Sequence, residues 1–193
     1  MSGVEAGPDG KPRCSWALGT PDYLDYHDSE WGRPLHGEAE LFERLTLEAF
    51  QSGLSWLTIL RKRENFRRAF DDFEVDRVAE YGEPEVERLL DDARIIRNRR
   101  KIEAAITNAG AARKLHAAGE TLDELIWSFA LEERPAPRSI EDVPSTTDES
   151  KALAKELKAR GFVFVGPTTV YAAMQAVGVV NDHLVGCAFR LRD

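Results

Sequence analysis

The residues best suited to chemistry in this chain are cysteines and histidines near its two ends. Cys14 and His27 lie near the start, and His183 and Cys187 lie near the finish at a spacing that suits one helical face. Two thiolates and two imidazoles fill a tetrahedral zinc shell and leave no position for a substrate. The pattern predicts a structural zinc ion that joins the terminal segments.

Two other interpretations of the cysteines stay open on residue types alone. Free cysteines are among the most buried side chains and need no partner. The second interpretation is a Cys14–Cys187 disulfide. Disulfides are typical of secreted proteins, but residues 1–13 lack the basic start and apolar middle of a signal peptide. We expect a cytosolic protein, and in a reducing compartment a Cys/His cluster more often binds metal than forms a disulfide.

The length and the charge of the chain limit the kinds of partner that it is expected to bind. The 193 residues, 42% of them hydrophobic, suit one domain with a real core. No apolar run approaches the roughly 20 residues that cross a bilayer, so no membrane is expected. A net charge of −8 argues against nucleic acid. The cations are nevertheless bunched in residues 61–68 and 94–101, and local charge decides binding.

Hydrophobic spacing predicts a compact all-α fold, with residues 1–11 as a flexible extension and residues 12–193 as one domain of two packed lobes. Alternation typical of a strand occurs only in Phe162–Val165. Residues 132–145, rich in proline, are expected to form a loop. The helix signals are a Thr20-Pro21 cap, periodicity over 38–52, 55–70, 76–81, 84–92, 98–118 and 168–177, and capping boxes at Thr121-x-x-Glu124 and Thr146-x-x-Glu149.

A tight turn is predicted over residues 92–98, between two helices and among several arginines. Such a hairpin aims backbone N–H groups at one point, where a phosphate binds well. Turns of this kind usually contain glycine, and Arg94 stands where it is expected. A left-handed conformation there costs about 1–2 kcal/mol, so we expect another turn shape or compensating contacts.

A carboxylate and several aromatic residues form the second chemical group. Glu48 falls in the middle of an apolar helix face, where it must be paired, neutralised or functional. Trp56 follows eight residues later. The plain alternatives are a glutamate turned to solvent and a tryptophan that only fills the core.

Six segments carry longer motifs. They are Cys14-x-Trp16, Tyr26-His27-Asp28-x-Glu30-Trp31-Gly32, Leu47-Glu48-x-x-Gln51-x-Gly53-Leu54-Ser55-Trp56, Lys62-Arg63-Glu64-Asn65, Arg160-Gly161-Phe162-x-Phe164-Val165-Gly166 and Val180-Asn181-Asp182-His183-x-Val185-Gly186-Cys187. In this order, from about Pro12 to Phe189, they resemble the 3-methyladenine DNA glycosylase I family. The resemblance implies a helix-hairpin-helix glycosylase fold with its hairpin near residues 92–98.

The resemblance also implies roles for single residues. Glu48, the catalytic candidate, and Tyr26 would hydrogen-bond the edge of a flipped-out base, and Trp56 would stack on its face. Trp16 and Trp31 would line the same pocket. The other implied roles are structural zinc on Cys14, His27, His183 and Cys187, insertion of Leu54 into the duplex, and DNA binding by Arg94, Arg97 and Lys101.

The implied activity is hydrolytic release of N3-methyladenine from alkylated double-stranded DNA by a monomer, leaving an abasic site and the free base. The alkylated base is a cation, so it leaves as a stable neutral molecule. Ionised Glu48 favours that cation, whereas ordinary adenine offers no charge in return. No motif places a lysine for a Schiff base, so no lyase activity is expected. Arg94 and Arg100 replace glycines expected in the family's hairpin.

Two other functional classes remain open. A DNA-lesion binder could keep the pocket without turnover. A zinc hydrolase would need an open metal position and a carboxylate beside it, for which Glu30 is the nearest candidate to His27.

Overall fold

Helices dominate the computed structural model, which describes residues 3–130 and 135–191. No helix within these ranges is long and apolar enough to span a bilayer. The same ranges contain nine α-helices: α1 Pro21–Ser29, α2 Glu38–Gln51, α3 Trp56–Ala69, α4 Val75–Val78, α5 Glu83–Asp91, α6 Arg99–Ala117, α7 Leu122–Trp127, α8 Asp148–Ala159 and α9 Pro167–Ala176.

Side-chain caps account for where several helices begin. Thr20 accepts a hydrogen bond from the backbone of Tyr23, and the capping box that begins at Thr121 is confirmed. The box predicted at Thr146 is wrong. Thr147 is the N-cap of α8, since its side chain accepts from the N–H of Ser150 at 3.2 Å and its own N–H donates to the Ser150 hydroxyl at 2.9 Å.

A small sheet at the start of the chain corrects the all-α prediction. Strand β1 (Val4–Ala6) pairs antiparallel with β2 (Pro12–Cys14), with Val4 opposite Cys14. Gly10, at φ +78°, helps to close the turn between them. The segment expected to be a flexible extension therefore contains a paired strand. Three-residue strands are too short to show a two-residue alternation in sequence.

The strand-like quartet Phe162–Val165 is not a strand. The buried side chain of Asn108 accepts from the N–H of Val163 at 2.7 Å and donates to its carbonyl at 3.0 Å. Phe164 follows with φ +57°, which is rare for a bulky side chain. One side chain, rather than a neighbouring strand, satisfies this backbone.

Helix α2 runs through the centre of the protein, where every residue from Leu41 to Phe50 is buried. It packs against α3 and α9, and its apolar residues join a core with a phenylalanine cluster. Because the helix is buried on all sides, it also buries polar groups, each of which needs a partner or a function. These groups are Glu43, Arg44, Thr46 and Glu48.

Residues 92–98 join α5 to α6 without left-handed backbone at Arg94. Instead, Oδ1 of Asp92 accepts the N–H of Arg94 at 2.9 Å, a local bond that stabilises turns. Nζ of Lys62 donates to the carbonyls of Ala93 and Arg94 at 3.3 Å and 3.0 Å. The strain anticipated for a turn without glycine does not arise, because the turn takes another shape. Residues 132–134 of the predicted proline-rich loop lie outside the described ranges.

Candidate functional site

The four predicted zinc ligands meet in one buried cluster, although they come from opposite ends of the chain. Cys14 ends β2, His27 lies in the last turn of α1, and His183 and Cys187 follow α9. Their ligand atoms all lie within 4.8 Å of one another.

Distances between sulfur and nitrogen suit a tetrahedral ion. Sγ of Cys187 lies 3.4 Å from Nδ1 of His183 and 3.6 Å from Nε2 of His27. Sγ of Cys14 lies 4.0 Å from Nδ1 of His183. Zinc bonds of about 2.1 Å to nitrogen and about 2.3 Å to sulfur place such pairs roughly 3.6 Å apart. Both cysteines are free thiols, so the disulfide alternative does not hold.

Outer hydrogen bonds orient both imidazoles toward the cluster. Nδ1 of His27 bonds Oδ1 of Asp28 at 2.8 Å, and Nε2 of His183 bonds the carbonyl of Trp31 at 2.9 Å. The buried Arg13 in turn holds Asp28, with Nη2 at 2.8 Å from Oδ2. Metal-binding histidines usually have such partners, because they fix the ring and its tautomer. The donor set and its supports fit a metal ion bound by two thiolates and two imidazoles.

Three residues predicted to bind a base also converge. Tyr26 comes from α1, Glu48 from α2 and Trp56 from the first turn of α3. The ring centroids of Tyr26 and Trp56 lie 5.5 Å apart at an interplanar angle of 47°. Burial raises the pKa of the Tyr26 phenol, and the nearby Glu48 carboxylate raises it further. The hydroxyl of Tyr23 accepts the N–H of Leu57 at 3.1 Å and so fixes the start of α3.

Glu48 is a buried carboxyl group, 6% exposed. It has no hydrogen bond or ion pair with any residue that the structure describes. Burial raises its pKa to about 8, against the opposing charge of Arg44. The free protein therefore holds Glu48 largely protonated at neutral pH. An ionised Glu48 beside a cationic base stays a prediction.

Arg44 is a site residue that the sequence prediction missed. It lies one helical turn before Glu48, and its Cζ is 5.6 Å from the ring centroid of Tyr26 and 5.9 Å from that of Trp56. Its Nη2 donates to Oε2 of Glu30 at 3.1 Å. Nε and Nη1 are buried and have no partner within the described residues. The only signal in the sequence is a second charged residue on the face that carries Glu48.

Glu30, the carboxylate predicted as a possible base beside His27, is held by two arginines. Arg63 donates to both of its oxygens, at 2.5 Å and 2.7 Å, and Arg44 donates to one of them. These bonds lower the pKa of Glu30 although burial opposes the shift. A carboxylate held in this way is not free to activate water at the Cys/His cluster, which removes the base that a zinc hydrolase would use.

Trp16 and Trp31 pack against the Cys/His cluster. The ring centroid of Trp16 lies 5.0 Å from that of Trp31 and 5.2 Å from that of His27. Trp31 lies 4.7 Å from the ring of His183. Among the described residues, neither indole makes a ring contact with Trp56, so their predicted contact with a base stays a prediction.

The predicted DNA-binding residues have different surroundings. Leu54 is 41% exposed in the loop between α2 and α3. Nζ of Lys101 donates to the carbonyls of Phe50 and Ser52 at 2.8 Å and 2.6 Å, so it anchors that loop. Arg94 is exposed but bonds both oxygens of Asp92. Arg97 is exposed and makes no hydrogen bond or ion pair with another described residue.

The class of protein follows from the fold and from solved structures. A crystal structure of 3-methyladenine DNA glycosylase I matches with a TM-score of 0.89 at 46% identity, covering 93% of this chain and 100% of that one. A tyrosine-to-phenylalanine variant of such an enzyme, solved in complex with 3-methyladenine, matches with a TM-score of 0.88 at 34% identity, covering 93% of this chain and 98% of that one. The fold is that of a DNA glycosylase.

Sequence comparison identifies the family. DNA-3-methyladenine glycosylase 1 of Escherichia coli (strain K12) is 47% identical over 177 residues, which is 91% of this chain and 95% of that protein. The methyladenine glycosylase family matches residues 16–191. The chain therefore belongs to the methyladenine glycosylase family, as the motifs predicted.

Proposed function

We propose that this protein flips N3-methyladenine out of alkylated duplex DNA and hydrolyses the bond between that base and deoxyribose. The observation that carries the proposal is the buried carboxyl of Glu48, which has no hydrogen-bond partner among the described residues and lies near Tyr26, whose ring contacts that of Trp56. Family membership supports the same reaction, and a related enzyme has been solved in complex with 3-methyladenine.

Recognition rests on charge and stacking. An N3-methylated adenine in DNA is a cation, and the face of an indole such as Trp56 attracts a desolvated cation by about 2 kcal/mol. The arriving cation favours ionisation of Glu48. The Glu48 carboxylate then accepts a hydrogen bond from the exocyclic amine, and the Tyr26 hydroxyl forms a hydrogen bond with the edge of the base. Adenine without the methyl group supplies no charge to offset a buried carboxylate, and is disfavoured for that reason.

The reaction needs little protonation of the leaving base by an acid. The bond from C1′ of the sugar to N9 breaks with its electron pair on N9, which neutralises the cationic base. A water oxygen then bonds to C1′ and releases a proton to solvent. The products are free 3-methyladenine and an abasic site. Glu48 is the catalytic residue in this scheme, because it contacts the base whose charge changes.

DNA binding is assigned to the α5–α6 hairpin, in the helix-hairpin-helix manner, and to the loop that carries Leu54. The N-terminus of α6 and the exposed Arg97 would bind phosphate, with Arg94 beside them. Lys101 acts indirectly by holding the Leu54 loop, and Leu54 fills the space left by the extruded base. Lys62 and Lys101 both donate to backbone carbonyls, which supports a reaction without a Schiff base and hence without lyase activity.

The Cys/His cluster is proposed to hold a structural zinc ion. Cys14, His27, His183 and Cys187 would supply all four bonds, so the ion would hold the terminal segments together and would not bind substrate. Because Tyr26 and His27 are neighbours on α1, the cluster also fixes where Tyr26 presents its ring. Trp16 and Trp31 pack on the cluster from the side.

Base release tests the function directly. Alkylated duplex DNA is incubated with purified protein, and the released bases and alkali-labile sites are measured. Wild type should release 3-methyladenine without strand cleavage before alkali treatment. Glu48→Gln and Trp56→Ala should each lower the rate by about a hundredfold or more while folding normally. Glu40→Gln, an exposed position on the same helix, is the matched control and should leave the rate unchanged.

Absence of base release by folded wild type would reject the proposal. If that protein still bound an abasic duplex tightly, it would be a lesion binder without turnover.

A further inference from the structure

Arg44 is an unusual residue in the site because most of its donors are unused. Arg44 is 5% exposed, and of its guanidinium nitrogens only Nη2 has a partner among the described residues, an oxygen of Glu30. Nε and Nη1 are buried without partners in the described part of the chain. Leaving charged donors unpaired in a protein interior is costly, and residues kept at such a cost are concentrated at functional sites.

Among the charged groups near Glu48, Arg44 is the one whose charge affects the ionisation of Glu48. Glu30 lies just after α1, and Arg63 lies within α3. The two side chains neutralise each other through two hydrogen bonds. Lys101 on α6 is engaged by backbone carbonyls of the loop after α2. Tyr26 on α1 is neutral at ordinary pH, since burial raises its pKa. Arg44, at i−4 on the same helix, opposes the effect of burial on the pKa of Glu48.

We propose that Arg44 is a positioning residue for base selection, whose buried charge keeps Glu48 able to ionise near neutral pH when the cationic base arrives. The inference rests on the proposed role of Glu48 in binding that base. Arg44 does not need to touch the base: it acts through Glu48, from beside the rings of Tyr26 and Trp56.

A neutral side chain at position 44 would make Glu48 harder to ionise. The protein would then meet the methylated base with a protonated carboxyl group over a wider pH range, and the advantage of a cationic base over ordinary adenine would shrink. Raising the pH would restore it, because Glu48 would ionise again. A side chain with only a packing role would instead lower activity by the same factor at every pH.

The pH profile of base release separates these cases. kcat/KM for release of 3-methyladenine from alkylated duplex DNA, which reports groups of the free enzyme, is measured from about pH 6 to about pH 9.5. Arg44→Met should move the rising limb upward by about one pH unit, with a rate about tenfold lower on the acid side and equal to wild type on the alkaline side.

Three further variants keep the test decisive. Arg44→Gln keeps a donor for Glu30 without the charge and should shift the rising limb of the pH profile as Arg44→Met does. If one of these two variants fails to fold, the other still gives the result. Arg44→Lys keeps the charge and should leave the limb in place. Adding Arg44→Met to Glu48→Gln should cause no pH-dependent change in the residual rate.

The inference would be overturned if the rising limb of the pH profile stayed at its wild-type position in both Arg44→Met and Arg44→Gln. A faster rate than wild type on the acid side would overturn it too, since Arg44 would then act by repelling the base. If wild type itself released no base, the proposed function would fail instead, and the two failures are therefore distinguishable.

Discussion

Nδ1 of His27 bonds Oδ1 of Asp28 at 2.8 Å, which turns Nε2 of the same ring toward Sγ of Cys187 at 3.6 Å. Asp28→Asn should weaken zinc binding about 10–100-fold, because the amide is a poorer partner for the imidazole N–H. Competition with a chelator measures the affinity. Asp25→Asn, an exposed position on the same helix, should bind zinc as wild type does, and equal affinity in both variants would contradict the assignment.

Cys14→Ser should deplete the protein of zinc, since a hydroxyl is a poor ligand for this ion, and should lower Tm by about 5 °C or more. Elemental analysis and thermal unfolding measure the two effects. Unchanged metal content would exclude the four-ligand site. Activity that persists in wild type after partial zinc loss would indicate a structural rather than a catalytic ion.

Glu48 should destabilise the free protein at alkaline pH. Its pKa is raised from 4.5 to about 8 on folding, so the folded state binds more protons than the unfolded state between these values. The free energy of unfolding should fall by about 1.4 kcal/mol per pH unit across that window and then level off. Glu48→Gln should remove this slope. Its Tm advantage over wild type should grow from about pH 5 to about pH 8, and a constant difference would refute the buried carboxyl.

Asn108→Ala should destabilise the fold, because the N–H and carbonyl of Val163 both lose the buried side chain that pairs them. Each of the two bonds contributes about 0.5–1.5 kcal/mol net, so Tm should fall by about 3–10 °C. Thr107→Ala, exposed on the same helix, is the matched control. Equal melting temperatures for the two variants would show that solvent replaces Asn108.

Leu54→Ala should slow excision from fully paired duplex DNA by about tenfold or more, because the extruded base leaves a space that alanine does not fill. The loss should be smaller when the lesion lies in a mismatch, where extrusion is easier. Single-turnover rates on the two substrates measure the effect. An equal loss on both would indicate a role for Leu54 other than filling the duplex.

Local signals in the sequence predicted much of the helical fold. Thr20, Ser55 and Asn98 each cap the helix that the pattern places after them, because their side chains accept backbone N–H groups within three residues. The hairpin of β1 and β2 was missed, since three residues are too few to show alternation. Thr146 and Thr147 match similar patterns, and only the hydrogen bonds to Ser150 decide between them.

The candidate site was predictable where ligand type and motif agree, as in the cluster that Cys14 forms with its three partners. The state of Glu48 was not, because its pKa depends on burial from all sides of α2. The use of Lys101 was hidden for a similar reason. Its ammonium meets carbonyls about fifty residues away in sequence, and no local pattern reports such a contact.

The Cys/His cluster joins residues that a ribosome makes far apart in time. Cys14 and His183, whose ligand atoms lie 4.0 Å apart, are separated by 169 positions. A ribosome therefore makes Cys14 long before His183, and domains fold as the chain emerges. The nascent chain carries Cys14 and His27 without their partners while the intervening helices are made, and the four side chains can meet only after His183 and Cys187 have left the exit tunnel.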